Sequence, residues 1–475
     1  MMTDSVLPTS KSTADALLND PQRPRYHFLP ARNWMNDPNG LIHWKGQYHL
    51  FYQYNPFGAF HANMHWGHAV SPDLVHWEHL PIALVPTPGG ADKDGVFSGC
   101  AVDQDGVPTL VYTGVAPEVQ CIATGSDDLL MWHKRPNPVI AAPPEGLDVF
   151  GFRDPCVWRD GDLWYMALGS GIRDVGGAIL LYTSRDLTAW DFVGPLLVDD
   201  SGARDVVWEC PAFFPLGDKW VLIISATPRA YVDYFVGTFD GVRFQPETRR
   251  RLDHGRYFYA PQTFTDAAGR RLMIGWIWEG RTPDQDIAAG WSGLQSVPRV
   301  LSLQPDGLLG MVPIPEMEKL RAQHLSEREL SLTDGRPYKA GIRSNQLEIA
   351  LTWQPDRAHE VGLALAQSPD GAEQTRIIYN RLTGDLHVER QQANASGDTD
   401  TDTQTAPLHL AEGETLNLRI FFDRSSIEIF ANDRESLTSR IYPTRPDSLG
   451  VSLFANGGDV TLATLDIWEM RSIWL

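Results

Sequence analysis

Cysteine is scarce in this chain. The four residues Cys100, Cys121, Cys156 and Cys210 show no Cys-x-x-Cys spacing. That argues against a disulfide framework and predicts free thiols, with Cys210 a small buried hydrophobe rather than a nucleophile. Cations are also in deficit, 40 Lys and Arg against 60 Asp and Glu, for a net charge of −20. A chain this acidic cannot neutralise a phosphate backbone, which excludes nucleic acid as a partner. No stretch approaches the ~20 apolar residues of a membrane span, so no membrane partner is expected. The opening MMTDSVLPTSKSTADALLND lacks the apolar core of a secretory signal, and a cytoplasmic location is expected.

What is plentiful points to strands and turns. The 475 residues include 16 Trp, 41 Gly and 34 Pro, with 43% hydrophobic content, enough for a large core in two domains. The pattern Ser-x-Asp-Leu-x-x-Trp recurs in SPDLVHW (71–77), SDDLLMW (126–132) and SRDLTAW (184–190), with a decayed copy in FDGVRF (239–244). Ser/Asp turn chemistry followed by Leu and Trp reads as a hairpin tip entering an outer strand. Between the tips run apolar, aromatic strands: QYHLFYQY (47–54), PTLVYTG (108–114), DLWYMALGS (162–170), KWVLIISAT (219–227) and RRLMIGWIW (270–278). A repeat of roughly 50–60 residues lies near the range of propeller blades. The fold class predicted is all-β, a five-bladed β-propeller over 25–312 followed by a C-terminal β-sandwich over 336–475. Residues 1–24 are expected to be a flexible extension, and 313–335 a linker with a short helix in PIPEMEKLRAQH (313–324). NASGDTDTDTQT (394–405) reads as a solvated loop with no reason to order.

Three carboxylates share a place in the repeat, each followed at once or one residue later by proline. They are Asp37 in WMNDPNG (34–40), Asp154 in FRDPCVW (152–158) and Glu209 in WECPAFF (208–214). A lone Asp-Pro is most simply an Asx turn. Three at one phase of a ring would point at one axial volume, where crowding costs free energy that function must justify. The equivalent positions in the second and fifth units are Ser98 and Tyr259. A carboxylate pair flanking a glycosidic bond is the minimum for retaining hydrolysis. Asp37, between Asn36 and Asn39, suits the nucleophile, since the amides can orient it and bind sugar hydroxyls. Glu209 suits the acid/base, with Trp208, Phe213 and Phe214 as apolar surroundings that raise its pKa. Asp154, beside Arg153, is expected to stay ionised and accept hydrogen bonds from the sugar. Trp276, one strand past Tyr259, offers a stacking face. The histidines of HANMHWGH (61–68) would not share one strand face, so no metal is expected.

These motifs resemble glycoside hydrolase family 32, the invertases, inulinases, levanases and sucrose-6-phosphate hydrolases. WMNDPNG, FYQYNP (51–56), FSG (97–99), FRDP and EC follow the family's signatures in order, and DRSSIEIFAND (423–433) resembles its C-terminal sandwich. The resemblance implies Asp37 as nucleophile, Glu209 as acid/base and Asp154 as transition-state stabiliser. It implies a fructose pocket lined by Asn36, Gln53, Phe97, Ser98, Arg153, Tyr259 and Trp276. Two positions depart from many relatives: His61 stands where a sugar-stacking Trp is common, and Tyr257 where Asp is common. Both lie near the pocket rim.

The chemistry calls for no cofactor. The partner expected is a small-molecule sugar, sucrose or a short fructan; homo-oligomer formation is left open. Sucrose 6-phosphate hydrolysis and fructosyl transfer use the same residues. A non-catalytic sugar-binding propeller would be favoured by loss of an acidic residue, and all three are present.

Overall fold

The computed structural model describes residues 17, 19–199, 201–354, 358–397 and 399–474. Five antiparallel units build the N-terminal propeller. Their innermost strands are β1 (Asn33–Trp44), β2 (Gly95–Gln104), β3 (Val149–Asp160), β4 (Val207–Leu216) and β5 (Phe258–Thr265). Each pairs outward with a strand that the sequence marks as an apolar run: Gln47–Asn55, Val107–Val115, Leu163–Ile172, Lys219–Thr227 and Arg271–Ile277. These second strands are buried almost throughout, because neighbouring blades cover both faces. The ring closes where Asn33 and Trp34 of β1 pair in parallel with Trp291 and Ser292.

The recurring tip motif has a local cause. Oδ1 of Asp73 accepts from the backbone N–H groups of Val75 and His76, and the Trp77 indole donates to the Leu74 carbonyl (3.0 Å). Asp186 and Trp190 repeat this arrangement, and the Trp132 indole donates likewise to Leu129. Each intervening leucine takes a left-handed backbone, φ 67°, 59° and 66° for Leu74, Leu129 and Leu187, held there by the Asx turn and the indole.

The C-terminal sandwich packs two six-stranded sheets around a core that includes Ile349, Trp353, Leu363, Ile420 and Leu453. Two expectations about its borders are corrected. The linker is short: a single 3₁₀ turn at Pro315–Leu320 leads directly into the edge strand Arg321–Leu332, which pairs with Val460–Met470. Polar alternation hid that strand, since one face is open to water. The acidic loop is also tethered rather than free. Asp400 accepts from the Tyr257 hydroxyl (2.7 Å) and pairs with Arg390 (3.0 Å), while Asn394 Oδ1 accepts from Ser396 N (2.7 Å). Most of the expected N-terminal extension, residues 1–16 and 18, lies outside the described residues. Residues 20–23 are anchored: buried Arg23 donates to the Pro30 carbonyl (2.5 Å), and Ser425 donates to Gln22 (2.5 Å).

The sandwich docks on the propeller through Phe421, Phe430 and Met470, which join the apolar cluster of Tyr26, Phe28 and Tyr52. Beside it runs a chain of buried charges. Asp423 accepts from the backbone N–H of Tyr26 (2.7 Å) and from His27 Nδ1 (2.9 Å). His27 Nε2 faces Glu428 (3.0 Å), and Arg299 joins Glu428 (2.8 Å) to Asp253 (3.2 Å).

Candidate active site

Every inner strand carries one extra residue at about the same depth. The register slips between Met35 and Pro38, Phe97 and Gly99, Arg153 and Cys156, Glu209 and Ala212, and Tyr259 and Gln262. Such a bulge re-aims side chains and lets two neighbours face one side. Asp154, Cys210 and Ala260 hold left-handed backbones there, φ 62°, 47° and 49°. Proline follows in four of the strands: Pro155, Pro211 and Pro261 take unpaired positions of the bulge, which need no ladder donor, and Pro38 closes the bulge opposite Tyr52. In β2 a glycine serves instead: a Cβ on Gly99 would stand 2.0 Å from the Val111 carbonyl oxygen.

The pairing corrects the repeat phase. Glu209 lies opposite Ser225 as Arg153 lies opposite Gly169, so Glu209 matches Arg153, and Cys210 matches Asp154. Because bulge neighbours both turn inward, all three carboxylates still reach the axis. Cys210 marks their meeting point. Its sulfur lies 3.3 Å from Asp37 Oδ2 and 3.5 Å from Asp154 Oδ2, and its backbone N–H donates to Asp154 Oδ2 (2.9 Å). It is buried in an apolar cluster, as expected of a small hydrophobe, and its polar atoms also meet the carboxylates of the site. Burial and the three carboxylates push its thiol pKa up, so it remains a neutral S–H.

Asp37 is oriented from both sides. Asn36 Nδ2 donates to Oδ1 (3.0 Å) and Ser98 Oγ to Oδ2 (2.6 Å). Asn36 is itself fixed by the Trp34 indole (2.7 Å), and its backbone carbonyl accepts from Gln295 (2.8 Å). Asn39, with its amide oxygen toward Gln53 (2.9 Å) and its nitrogen toward Ser98 (3.3 Å), links these supports. Gln53 is buried and donates to the Val96 carbonyl.

Glu209 accepts from Arg153 Nε (3.0 Å) and the Tyr259 hydroxyl (2.7 Å). Its surroundings are polar, contrary to the apolar setting expected: Trp208 packs on Phe235, and Phe213 on Trp220, between blades. Its pKa is nonetheless raised, by burial first and by Asp37, against the pull of Arg153 and Tyr259. Asp154 is 5% exposed, and burial together with Glu209 and Asp37 pushes its pKa up to about 7. Arg153 does pull the Asp154 pKa down, as its position beside it suggests, but burial and Glu209 outweigh that pull, and the same cation is shared with Glu209 and Glu118. Crowding and burial together favour retention of a proton among the three carboxylates.

The mouth is aromatic. Trp34 makes edge contacts with His61 (5.8 Å) and Trp276 (5.9 Å), and His61 faces Phe97 (6.4 Å). Trp278 stacks on Tyr259 at 6.2 Å. Trp34 and Trp278 were missed in the sequence, although each sits two residues from a predicted member and so shares its strand face. Glu118, which pairs with Arg153, gave no periodic signal at all. Tyr257, the second rim departure, points to the domain interface at Asp400 and Arg390. His68 pairs with His49 (3.0 Å) away from the axis. Among the described residues no cluster of His, Cys, Asp and Glu is arranged to hold a metal ion.

Residues 27–313 match the Glycosyl hydrolases family 32 N-terminal domain, and residues 316–469 match the family's C-terminal domain. A sucrose-6-phosphate hydrolase from Zymomonas mobilis is 38% identical, over 97% of this chain and 94% of its own. The crystal structure of fructan 1-exohydrolase IIa from Cichorium intybus superposes with a TM-score of 0.88 at 30% identity, covering 95% of this chain and 98% of that one. A Bombyx mori β-fructofuranosidase in complex with sucrose gives 0.80 at 29% identity, covering 98% and 97%. By motif order, by fold and by match along both domains, the chain belongs to glycoside hydrolase family 32.

Proposed function

We propose that the protein is a retaining β-fructofuranosidase that releases the terminal fructose of sucrose and of short fructans. The observation that carries this reading is the convergence of Asp37, Asp154 and Glu209 on Cys210 and Arg153. Asp37, held by Asn36 and Ser98, attacks the anomeric carbon. Glu209, whose pKa is raised by burial, gives its proton to the departing glycosidic oxygen. Glu209 then takes a proton from water, which attacks the fructosyl–Asp37 ester and frees fructose with retention. Asp154 accepts hydrogen bonds from fructose hydroxyls, and these strengthen as positive charge develops on the ring. Trp34, Trp276 and His61 form the platform for the second sugar.

Sucrose 6-phosphate is the second reading, favoured by the name of the Zymomonas mobilis relative. Against it, the cation within the site, Arg153, is already shared by Glu209 and Glu118. A phosphate would need an unengaged cation. A time course with sucrose, sucrose 6-phosphate, kestose, inulin and levan, quantifying glucose against fructose, separates the readings. Equal glucose and fructose from sucrose is expected, with kcat/KM for sucrose and kestose above that for polymers per chain end. Cleavage confined to sucrose 6-phosphate would overturn the choice of substrate. Glucose in excess of fructose would make the enzyme a transferase.

A further inference from the structure

The Arg153 guanidinium has two carboxylate partners from different blades. Its Nε donates to Glu209 Oε1 (3.0 Å), and NH1 is bound by Glu118 Oε1. Glu118 stands between the strands Val107–Val115 and Val119–Gly125 of the second blade. Its other oxygen accepts from the backbone N–H of Phe152 (2.5 Å), one residue before the arginine. Glu118 thus grips both the head and the root of Arg153. Neither side chain faces water freely: Arg153 is 18% and Glu118 23% exposed.

We propose that Glu118 is a positioning residue for the acid/base: by dividing the Arg153 cation between two carboxylates, it keeps Glu209 from being locked as an arginine ion pair and so available as a proton donor. This rests on the fructosidase reading above. The fork of a guanidinium favours two-point pairing with one carboxylate, which would hold that carboxylate ionised. Here NH1 is held by Glu118, and Glu209 receives a single bond from Nε. The other charged or titratable groups facing Glu209 are Asp37 from β1, Asp154 from β3, Tyr259 from β5 and Cys210 from its own strand. Arg153 is the cation among them. Sharing it therefore sets how much positive potential Glu209 feels.

Glu118→Gln is close to isosteric, keeps an acceptor for the Phe152 N–H and removes the charge. The pH profile of kcat/KM on sucrose, from pH 4 to 9, should show its alkaline limb moved to lower pH by about half a unit or more. An isotope-edited infrared titration of the Glu209 carboxyl in the free enzyme should move in the same direction, and this readout needs no turnover. Glu118→Asp, which retains the charge, should move both less. The proposal is overturned if Glu118→Gln leaves both titrations in place, or if the Gln and Asp variants shift them equally, which would reduce Glu118 to a loop tether. A wild-type enzyme inert toward every fructoside would sink the functional reading, while the infrared titration would still decide the role of Glu118.

Discussion

Two groups of buried acids in this molecule are solved in opposite ways. At the domain interface, Asp423, Glu428 and Asp253 are each met by a cation or by several N–H and O–H donors. Asp253 alone accepts from Thr438 N (2.8 Å), Thr438 Oγ1 (2.7 Å) and Arg299 (3.2 Å). On the propeller axis, Asp37, Asp154 and Glu209 crowd together, and the arginine beside Asp154 and Glu209 is divided with Glu118. The consequence is visible in the proton equilibria. Despite burial, Glu428 is lowered by His27 and Arg299, whereas burial raises Asp154 and Glu209, with too little cation to offset it. Satisfied carboxylates hold the domains together; under-satisfied ones are ready to react.

Removing charge should therefore have opposite effects in the two regions. The largest effect expected is on turnover. Asp37→Asn should lower kcat on sucrose by at least about four orders of magnitude, because no fructosyl ester can form. Its thermal midpoint should hold or rise, since a like charge leaves the cluster. A stopped assay with purified variant and a melting curve check both halves; appreciable residual turnover would remove Asp37 from the nucleophile role.

Arg299→Met makes the converse test. It leaves Glu428 and Asp253 buried without their shared guanidinium, and breaking such a pair costs about 3–5 kcal/mol. Urea denaturation should register that loss, while the fraction that remains folded keeps its affinity for sucrose. A change below about 1 kcal/mol would mean that the hydrogen bonds of Ser436 and Thr438 to Asp253, not the arginine, carry the junction.

The contrast between the regions also explains what the sequence revealed. Blade number and strand placement were legible because apolar runs and Ser-x-Asp-Leu-x-x-Trp tips repeat with the blades. Asp37, Asp154 and Glu209 were legible because bulges bring proline with them at a fixed depth. Their exact phase was not, since a bulge puts adjacent residues on one face, and alternation cannot foresee that. Glu118 and the interface acids were opaque for a different reason. Glu118 meets Arg153 across a blade boundary, and Glu428 meets His27 across 401 residues of chain, so no local period records either contact. The edge strand Arg321–Leu332 reads as linker in the sequence because water covers one of its faces.

Asp154→Asn sharpens the comparison through pH. In the folded protein its pKa is raised to about 7 from 3.8. The folded state thus binds the proton more tightly than the unfolded chain. Asp154 contributes stability fully below about pH 3.8, and this is lost progressively as pH rises through 7. Asparagine removes the loss. The variant should melt about 4 °C above wild type at pH 8 and close to it at pH 4, while kcat falls about 10²-fold or more. Equal melting temperatures at both pH values would show that Asp154 is as well satisfied as the interface acids.

The smallest effect expected lies in a histidine buried at the interface. His27 sits between Asp423 and Glu428, and although burial opposes its charge, the two carboxylates raise its pKa from 6.5 to about 9. The sign follows directly: the folded state again holds the proton more tightly, so the stabilisation is complete below pH 6.5 and disappears as pH rises through 9. This window lies mostly above that of Asp154, which is exhausted just above pH 7. The loss should be modest, because deprotonated His27 still leaves Glu428 paired with Arg299 and Asp423 bonded to the backbone N–H groups of Arg25 and Tyr26. Wild-type melting temperature should drop by about 2 °C between pH 7 and pH 9.5 in excess of the drop seen for His27→Gln. Parallel curves for the two proteins across that interval would mean that His27 is already neutral at pH 7, and that the interface, like the axis, leaves part of its acid uncompensated.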